Sequence, residues 1–436
     1  MNESNLKPSF QAVVLAGGKG SRMRDVTEKI PKALVPIGNV PLIYFPLKSL
    51  ERVGFQEAIV VVLKSQKEII DTAITNTDLK LCVKFFAIED EDDLGTAESL
   101  RLLKDRIDMD ILVVSCDLIT DLSFHKLADM HRAKNSSLTI MLAKSLSVGE
   151  ILPPGGRINR KIENQFIALD NSQRLIYMAT ESDLEDEIRI RHRIIKNYPC
   201  INMHSSLMDS HVYLISKSTY DLMFEDTNII DLREYIPLIV KKQFAKEDKV
   251  EKNENESETD DHLIDEMSSF RHQSTSINLP RCFGYFYDGL CFRVNNIMAY
   301  CEANRRSTTF LEKFKGIPTV NISPSISLQP KSTVNSDCLI GEKVTIGAKC
   351  GIKKSIIGMN TEIGDYCKVT NCIIMNKVKL RKGITIQNCI ICENATLEEK
   401  CELKDCIVGA DQIIHGMAKL SGEAVRGVMN TGFDLD

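Results

Sequence analysis

The first 245 residues alternate between two patterns of apolar positions. Short apolar runs of strand length are separated by segments of helical length with one apolar face. The runs predict strands at Phe10–Leu15, Ala58–Leu63, Leu81–Ile88 and Ile111–Ser115. The longer segments predict helices at Pro41–Val53, Thr96–Ile107 and Phe124–Ala133. Because strands that alternate with helices form βαβ units, the pattern predicts an α/β domain with a mostly parallel sheet covered on both faces.

From about residue 317 the apolar positions follow a different period. A short motif recurs every 17 residues, and an Asp or Asn precedes four of its five copies, which begin at Cys338, Ser355, Cys372, Cys389 and Cys406. Further Ile and Val residues lie between the copies at roughly hexapeptide spacing. Three near-hexads per period are typical of a triangular parallel β-helix with one coil per repeat. The residues expected to stack in its core, beside the small cysteines, include Ile356, Ile373, Ile390 and Ile407.

A strongly acidic segment lies between these two patterns. From Glu247 to Glu266, ten acidic residues stand against two lysines, which gives −8 in twenty residues and leaves about +3 for the rest of the chain. Almost no apolar residue precedes Leu263, so the segment cannot offset the entropy of ordering, and we expect a disordered loop. Two interpretations stay open, a solvated spacer and a binding segment for a basic partner.

Composition excludes several classes of function. The chain has 436 residues, of which 43% are hydrophobic and 26% charged, and its net charge of −5 gives no general footprint for nucleic acid or membrane. No signal region opens the chain and no window approaches eighteen apolar residues. The fourteen cysteines are expected to be reduced thiols, and the eight histidines form no ligand cluster.

A glycine-rich loop follows the first predicted strand. Gly17, Gly18 and Gly20 let the backbone turn sharply and bring bare N–H groups close to a phosphate. Arg22 and Lys32 add two positive charges. The Arg22 guanidinium is a planar fork of N–H donors, and the Lys32 ammonium is a compact point charge. The loop has neither the Gly-Lys-Ser/Thr of a P-loop nor the glycine spacing of a dinucleotide fold. It resembles the signature of the sugar-nucleotide pyrophosphorylases, which join a nucleoside triphosphate to a sugar phosphate.

Two further segments resemble those of the same nucleotidyltransferases. The start of the second predicted helix is similar to the family's Gly-Thr-Ala segment, which implies that Gly95 and Thr96 lie near the base and ribose of a nucleotide. The alternative is that Thr96 caps the helix. Asp117 lies two residues after the predicted strand Ile111–Ser115. The resemblance implies that its carboxylate holds Mg²⁺ against the phosphates.

The segments that contact the sugar phosphate in the enzymes differ in this chain. The enzymes carry a Glu-Lys-Pro triplet and an Asn-x-Gly-Tyr segment, and neither is present in the comparable stretches 160–168 and 205–213. Asp288 is a candidate second metal ligand, but the family's tryptophan is absent there and the interval to the segment Tyr300–Asn304 is longer. A site without these sugar-phosphate contacts would lose much of its stabilisation of the transition state for nucleotidyl transfer.

This combination is similar to the gamma subunits of eukaryotic translation initiation factor 2B. The epsilon subunits share the two-domain plan but continue into a helical domain with tryptophans, and this chain has no tryptophan and stops at Asp436. The resemblance covers nearly the whole chain, and its segments are Pro31–Ile43, Leu50–Phe55, Ser115–Asp121, Met208–Tyr213, Gly289–Val294 and Tyr300–Arg305.

The resemblance implies a domain plan. The order is a Rossmann-like nucleotidyltransferase-like domain (1–245), an acidic disordered insertion (246–275), the end of the first domain with a connector (276–316), a left-handed β-helix of hexapeptide repeats (317–425) and a tail (426–436).

Two functions follow as hypotheses. The first is a non-catalytic gamma subunit that supports GDP/GTP exchange on initiation factor 2 in the cytosol. The resemblance implies as partners the epsilon subunit, the beta and delta regulatory subunits and GDP-bound initiation factor 2, with no direct contact to nucleic acid or membrane. It implies no catalytic residue and no required cofactor, with Mg²⁺ and a purine nucleoside triphosphate as candidate ligands of the cleft.

The alternative is an active sugar-1-phosphate nucleotidyltransferase of the mannose-1-phosphate guanylyltransferase type. The glycine loop, with Arg22 and Lys32, supports this second function. The missing acceptor segments oppose it, and a residual transferase activity stays open.

Overall fold

The computed structural model describes residues 10–90, 94–144, 154–155, 164–184, 187–244, 279–315 and 323–426. The predicted acidic loop at 246–275 lies outside these residues.

A seven-stranded sheet forms the centre of the first domain. Its spatial order is β7-β5-β6-β4-β1-β2-β3, and β6 is the one strand of this described sheet that runs antiparallel to its neighbours. The strands are β1 Gln11–Leu15, β2 Glu57–Leu63, β3 Cys82–Ile88, β4 Ile111–Ser115, β5 Leu138–Lys144, β6 Leu207–Ile215 and β7 Cys282–Tyr287.

Helices cover both faces of this sheet. One face packs against a cluster that includes Leu100, Tyr220 and Ile236, and the other against a cluster that includes Leu47 and Leu127. Among the described residues, no helix is long and apolar enough to cross a membrane. The helices are Arg24–Thr27, Tyr44–Arg52, Lys67–Thr75, Thr96–Arg101, Phe124–Ala133, His192–Asn197, Lys217–Asp221, Leu232–Lys242, Ile297–Arg305 and Ser307–Lys315.

Three smaller sheets complete the first domain. A three-stranded sheet has the order Leu175–Thr180, Gln165–Asp170, Ile201–His204. Leu118–Thr120 pairs with Cys291–Arg293, and Pro36–Ile37 pairs with Val40–Pro41.

The predicted elements of the first domain are found with shifted ends. The helix predicted over Pro41–Val53 begins instead at Tyr44, because Gly38 and Asn39, with φ of 56° and 65°, form a tight turn between two short strands. The helix predicted to start at Thr96 ends at Arg101 rather than at Ile107. The predicted mostly parallel sheet with helices on both faces is confirmed.

The second domain is a parallel β-helix of six coils with three flat faces. The first face has Ser327–Leu328, Thr345–Ile346, Glu362–Ile363, Lys379–Leu380, Thr396–Leu397 and Ile413–Ile414. The second has Thr333–Val334, Gly351–Lys353, Lys368–Thr370, Thr385–Gln387, Glu402–Lys404 and Lys419–Ser421. The third, called the docking face below, has Leu339–Ile340, Ile356–Ile357, Ile373–Ile374, Ile390–Ile391, Ile407–Val408 and Ala424–Val425.

The Asp and Asn residues of the repeat form one corner of the β-helix. Asn371, Asn388 and Asp405 have φ of 53°, 51° and 53°, a left-handed conformation that Asn and Asp adopt more readily than most residues. The Asn371 amide donates to Asn388 Oδ1 at 3.0 Å, and the Asn388 amide donates to Asp405 Oδ1 at 2.6 Å. The 17-residue motif therefore encodes a turn and a ladder of hydrogen bonds between coils.

The cysteines of the repeat point into the β-helix. Cys372, Cys389 and Cys406 are buried, and each thiol donates to the carbonyl two residues earlier at 3.0–3.2 Å. All fourteen cysteines of the chain are free thiols. The cysteine column is thus part of the apolar core, as the repeat predicted.

The predicted inward register of the Ile column was wrong by one residue. Side chains alternate along a strand, so with Cys389 inside, Ile390 faces out and Ile391 faces in. The aliphatic residues that fill the core at this position are Ile357, Ile374, Ile391 and Val408. Those that face outward from the docking face are Ile356, Ile373, Ile390 and Ile407.

The outward Ile column is buried because the first domain covers the docking face. It joins a hydrophobic cluster with Val26 of the short helix after the glycine loop and with Phe310 and Phe314. Sequence periodicity could not separate the two sides, because both are apolar here.

Polar contacts flank this apolar seam between the domains. Lys29 pairs with Asp411, and Arg426 pairs with the buried carboxylate of Asp25. The Asn39 amide donates to the Ile357 carbonyl at 2.9 Å. The segment that follows the glycine loop is therefore fixed to the β-helix at several points.

We expect Ile390→Ala to lower the free energy of unfolding by about 2–5 kcal/mol, because it opens a cavity in the seam. Urea unfolding followed by circular dichroism measures the loss. The matched control is Ile413→Ala on another face, where the residue is 59% exposed and the cost should be below about 0.5 kcal/mol. Equal losses in the two variants would contradict the assignment of the docking face.

Candidate functional site

The glycine loop lies at the carboxyl end of the central strand β1. A Cβ added at Gly18 would meet nothing within 4 Å, and one at Gly17 would meet a single side-chain atom at 4.0 Å. Gly20 has φ of 70°, and Thr27 donates to its carbonyl at 3.0 Å, which fixes the end of the loop. The backbone at Gly17 and Gly18 is thus open to a ligand.

Asp117 lies beside this loop, because β4 is hydrogen-bonded to β1. The Cys116 N–H donates to the Leu15 carbonyl at 3.0 Å, and Asp117 follows directly. The Asp117 side chain is only 1% exposed, and one of its oxygens is paired with the ammonium of Lys32. The other oxygen, Oδ1, is buried without a hydrogen-bond partner. The structure thus brings together the two predicted residues Lys32 and Asp117.

A second cation reaches Asp117 from a strand pair that sequence reasoning did not single out. The short strand Cys291–Arg293 pairs with Leu118–Thr120, and this pairing places the Arg293 Nε 3.8 Å from Asp117 Oδ2. No local pattern in the sequence marks Arg293, because only the pairing of two three-residue strands brings it beside Asp117.

Arg293 is held in place by a residue with an unusual backbone conformation. His211 lies in a bulge of β6 and has φ of 54°, a left-handed conformation that ordinarily favours glycine. Its Nδ1 is 3.1 Å from an Arg293 guanidinium nitrogen. The bulge thus places the His211 imidazole directly against the Arg293 guanidinium.

The electrostatics of this cluster follow from burial and charge. Burial opposes ionisation of Asp117, but Lys32 and Arg293 hold the pKa of its carboxyl well below the usual range. Burial and the neighbouring Arg293 charge hold the pKa of His211 well below its usual range, so the imidazole is neutral at pH 7.

Asp209 is a second buried acid near this cluster. Burial raises its pKa. One carboxyl oxygen accepts from the Tyr213 hydroxyl at 2.5 Å, and the other accepts from the His211 N–H at 2.8 Å. Both of its oxygens therefore have partners within the protein.

Gly95 and Thr96 lie at a helix start that the chain itself caps. The Thr96 N–H donates to Asp231 Oδ1 at 2.9 Å, and the Leu232 N–H donates to the Thr96 hydroxyl at 2.8 Å. A Cβ at Gly95 would approach the Ile230 carbonyl to 2.4 Å. These contacts join the starts of two helices: Asp231 caps the helix that begins at Thr96, and the Thr96 hydroxyl caps the helix Leu232–Lys242 rather than its own.

Asp288 lies at the far edge of the sheet. It follows β7, and β5 and β6 separate that strand from β4, so about 14 Å separates the two strand ends. Its side chain is 64% exposed and pairs with Lys144. The structure does not bring Asp288 together with Asp117.

The residues around Asp117 do not fit Mg²⁺. This ion prefers several oxygen ligands in octahedral geometry, and here one carboxylate faces two cations. No group of three or more His, Cys, Asp or Glu residues among those that the structure describes could hold a metal ion. Of the acceptor stretch 160–168, residues 160–163 lie outside the described part of the chain, and Gln165–Ala168 belong to the strand Gln165–Asp170.

Two family models match the chain. A nucleotidyl transferase model matches residues 11–147, and a model of the left-handed β-helix domain of eIF2B subunit epsilon matches residues 319–420. The predicted fold class, a nucleotidyltransferase domain followed by a left-handed β-helix, is confirmed.

Curated relatives match over most of the chain. An eIF2B gamma subunit of Dictyostelium discoideum is 28% identical over 80% of this chain and 87% of its own length, and one of Schizosaccharomyces pombe is 28% identical over 77% and 72%. A probable mannose-1-phosphate guanylyltransferase of rice is 31% identical, but over only 31% of this chain and 38% of its own length. The predicted resemblance to the gamma subunits is confirmed.

We expect Lys32→Met to destabilise the fold by about 3–5 kcal/mol at neutral pH, because the buried Asp117 carboxylate loses a partner. The pKa of Asp117 is lowered in the folded protein, so its contribution is present above the unfolded value of about 3.9 and is lost as the pH falls through the folded pKa. The difference between variant and wild type should therefore shrink as the pH falls below about 4.

Urea unfolding between pH 3 and 7 measures this difference. Lys64→Met is the matched control, since Lys64 pairs with Glu89 on the surface and is 63% exposed. A loss for Lys32→Met that stays constant with pH would contradict the ion pair as its cause.

Proposed function

We propose that this chain is a non-catalytic, gamma-type subunit of a translation initiation factor 2B complex and supports GDP/GTP exchange on initiation factor 2. The observation that carries the proposal is similarity to eIF2B gamma subunits across both domains, whereas the guanylyltransferase similarities cover 31–42% of the chain. We further propose that the chain works in the cytosol as a heterodimer with the epsilon subunit, docked on beta and delta subunits.

The geometry of the cleft supports a role without group transfer. Nucleotidyl transfer needs charge stabilisation at the phosphates and a held acceptor. Here Asp117 is already neutralised by Lys32 and Arg293, and His211 occupies space on the acceptor side. The site is therefore proposed to be catalytically degenerate.

The rigid seam between the domains supports a scaffold role. The β-helix packs on the first domain through an apolar column and through ion pairs such as Lys29–Asp411. Two faces of the β-helix remain outside this seam, and a long regular surface of this kind suits contacts with other subunits.

We expect the full chain to co-purify with a co-expressed epsilon subunit and to raise the rate of GDP release from initiation factor 2 above that of epsilon alone. Size-exclusion chromatography and release of a fluorescent GDP analogue measure the two effects. Arg22→Ala is the control, because it alters the glycine loop and should leave assembly unchanged. Failure to assemble with epsilon would contradict the proposal.

We expect no pyrophosphate release when the purified chain is given GTP, Mg²⁺ and mannose 1-phosphate. The physical reason is that the Asp117 carboxylate is held by Lys32 and Arg293. A coupled pyrophosphate assay, with an active guanylyltransferase as its positive control, measures the reaction. Sustained release would instead establish the alternative function, a mannose-1-phosphate guanylyltransferase.

A further inference from the structure

The cluster around Asp117 contains more positive than negative charge. Lys32 and Arg293 contact the carboxylate, and the charge of Arg22 also acts on His211, which lies against Arg293. His211 itself is neutral. Two cations therefore contact one ionised acid, which favours an anion and disfavours a further cation.

The groups that could offset this excess are engaged elsewhere. Both carboxyl oxygens of Asp209 accept hydrogen bonds from Tyr213 and from the backbone of His211. Asp288, which follows β7, pairs with Lys144 at the end of the neighbouring strand β5. Apart from Asp117, no acid of the described chain forms a salt bridge with Lys32 or Arg293.

The cationic cluster adjoins the open glycine loop. Asp117 follows β4, the direct neighbour of the strand that ends in the loop, and Lys32 and Arg293 remain 16% and 17% exposed. The backbone at Gly17 and Gly18 has free space around it at the same, carboxyl end of the sheet. Loop and cations therefore lie side by side at the same edge of the sheet.

We propose that this cleft binds a polyphosphate anion without a divalent cation, with Arg293 and Lys32 in the role that Mg²⁺ has in a metal-dependent site. Arg293 presents fixed N–H donors to a phosphate as well as its charge. The inference goes beyond the proposed exchange role and does not depend on it, because it concerns ligand binding by the chain alone.

Calorimetric titration of the full chain with GTP and with inorganic tripolyphosphate tests the anion site. The affinity in EDTA should equal or exceed the affinity in Mg²⁺, because Mg²⁺ binds the free polyphosphate and lowers its charge. A tenfold or larger loss in EDTA, or no binding in either buffer, would overturn the proposal.

Iron-directed cleavage tests the metal site in the unmodified chain. Fe²⁺ replaces Mg²⁺ at oxygen-ligand sites, and with ascorbate and peroxide it cleaves nearby backbone. We expect no cleavage within a few residues of Asp117. Cleavage there that an excess of Mg²⁺ suppresses would overturn the proposal, and cleavage confined to other segments supports it.

Arg293→Asp should convert the cleft to a metal-dependent site. We expect one additional Mn²⁺ to bind, as counted by electron paramagnetic resonance, and tripolyphosphate affinity to become at least tenfold weaker in EDTA than in Mn²⁺. The control Arg281→Asp makes the same change at an exposed residue and should alter neither. A folded Arg293→Asp variant with unaltered metal dependence would count against the role of Arg293, and if it does not fold, the two experiments on the wild-type chain decide.

Discussion

The apolar seam between the β-helix and the first domain is the interaction on which the rest of the structure depends. It buries the outward Ile column of the docking face against Val26, Phe310 and Phe314. Val26 belongs to the short helix that directly follows the glycine loop. The seam therefore joins the domains and also fixes the base of the loop, so the geometry of the cleft and the placement of the β-helix depend on the same packed residues.

The cleft combines an open glycine loop with a cluster of positive charges. The loop is open at Gly17 and Gly18, while Arg293 and Lys32 both contact the Asp117 carboxylate. A bulge in β6 sets His211 against Arg293. A small number of substitutions on an intact scaffold can thus replace one chemistry with another, because the fold and the site are separable.

The sequence predicted what depends on local pattern and missed what depends on pairing. Alternating apolar runs and the 17-residue motif were enough for both domains, and the Asn and Asp residues before the motif mark real turns. The register of the Ile column could not be predicted, because Ile390 and Ile391 are both apolar and only the covering domain distinguishes their faces. Arg293 was missed for a similar reason, since a three-residue strand pairing brings it beside Asp117.

The polar contacts at the end of the seam give the β-helix a fixed length. Arg426 follows the last coil and pairs with Asp25, while Asp411 in the last coils pairs with Lys29. Each coil adds about 4.8 Å along the β-helix axis. Removing or inserting one coil would keep the core and the asparagine ladder intact but would move Arg426 by that distance from its carboxylate. The positions of Asp25 and Lys29 in the first domain therefore fit only one number of coils in the second.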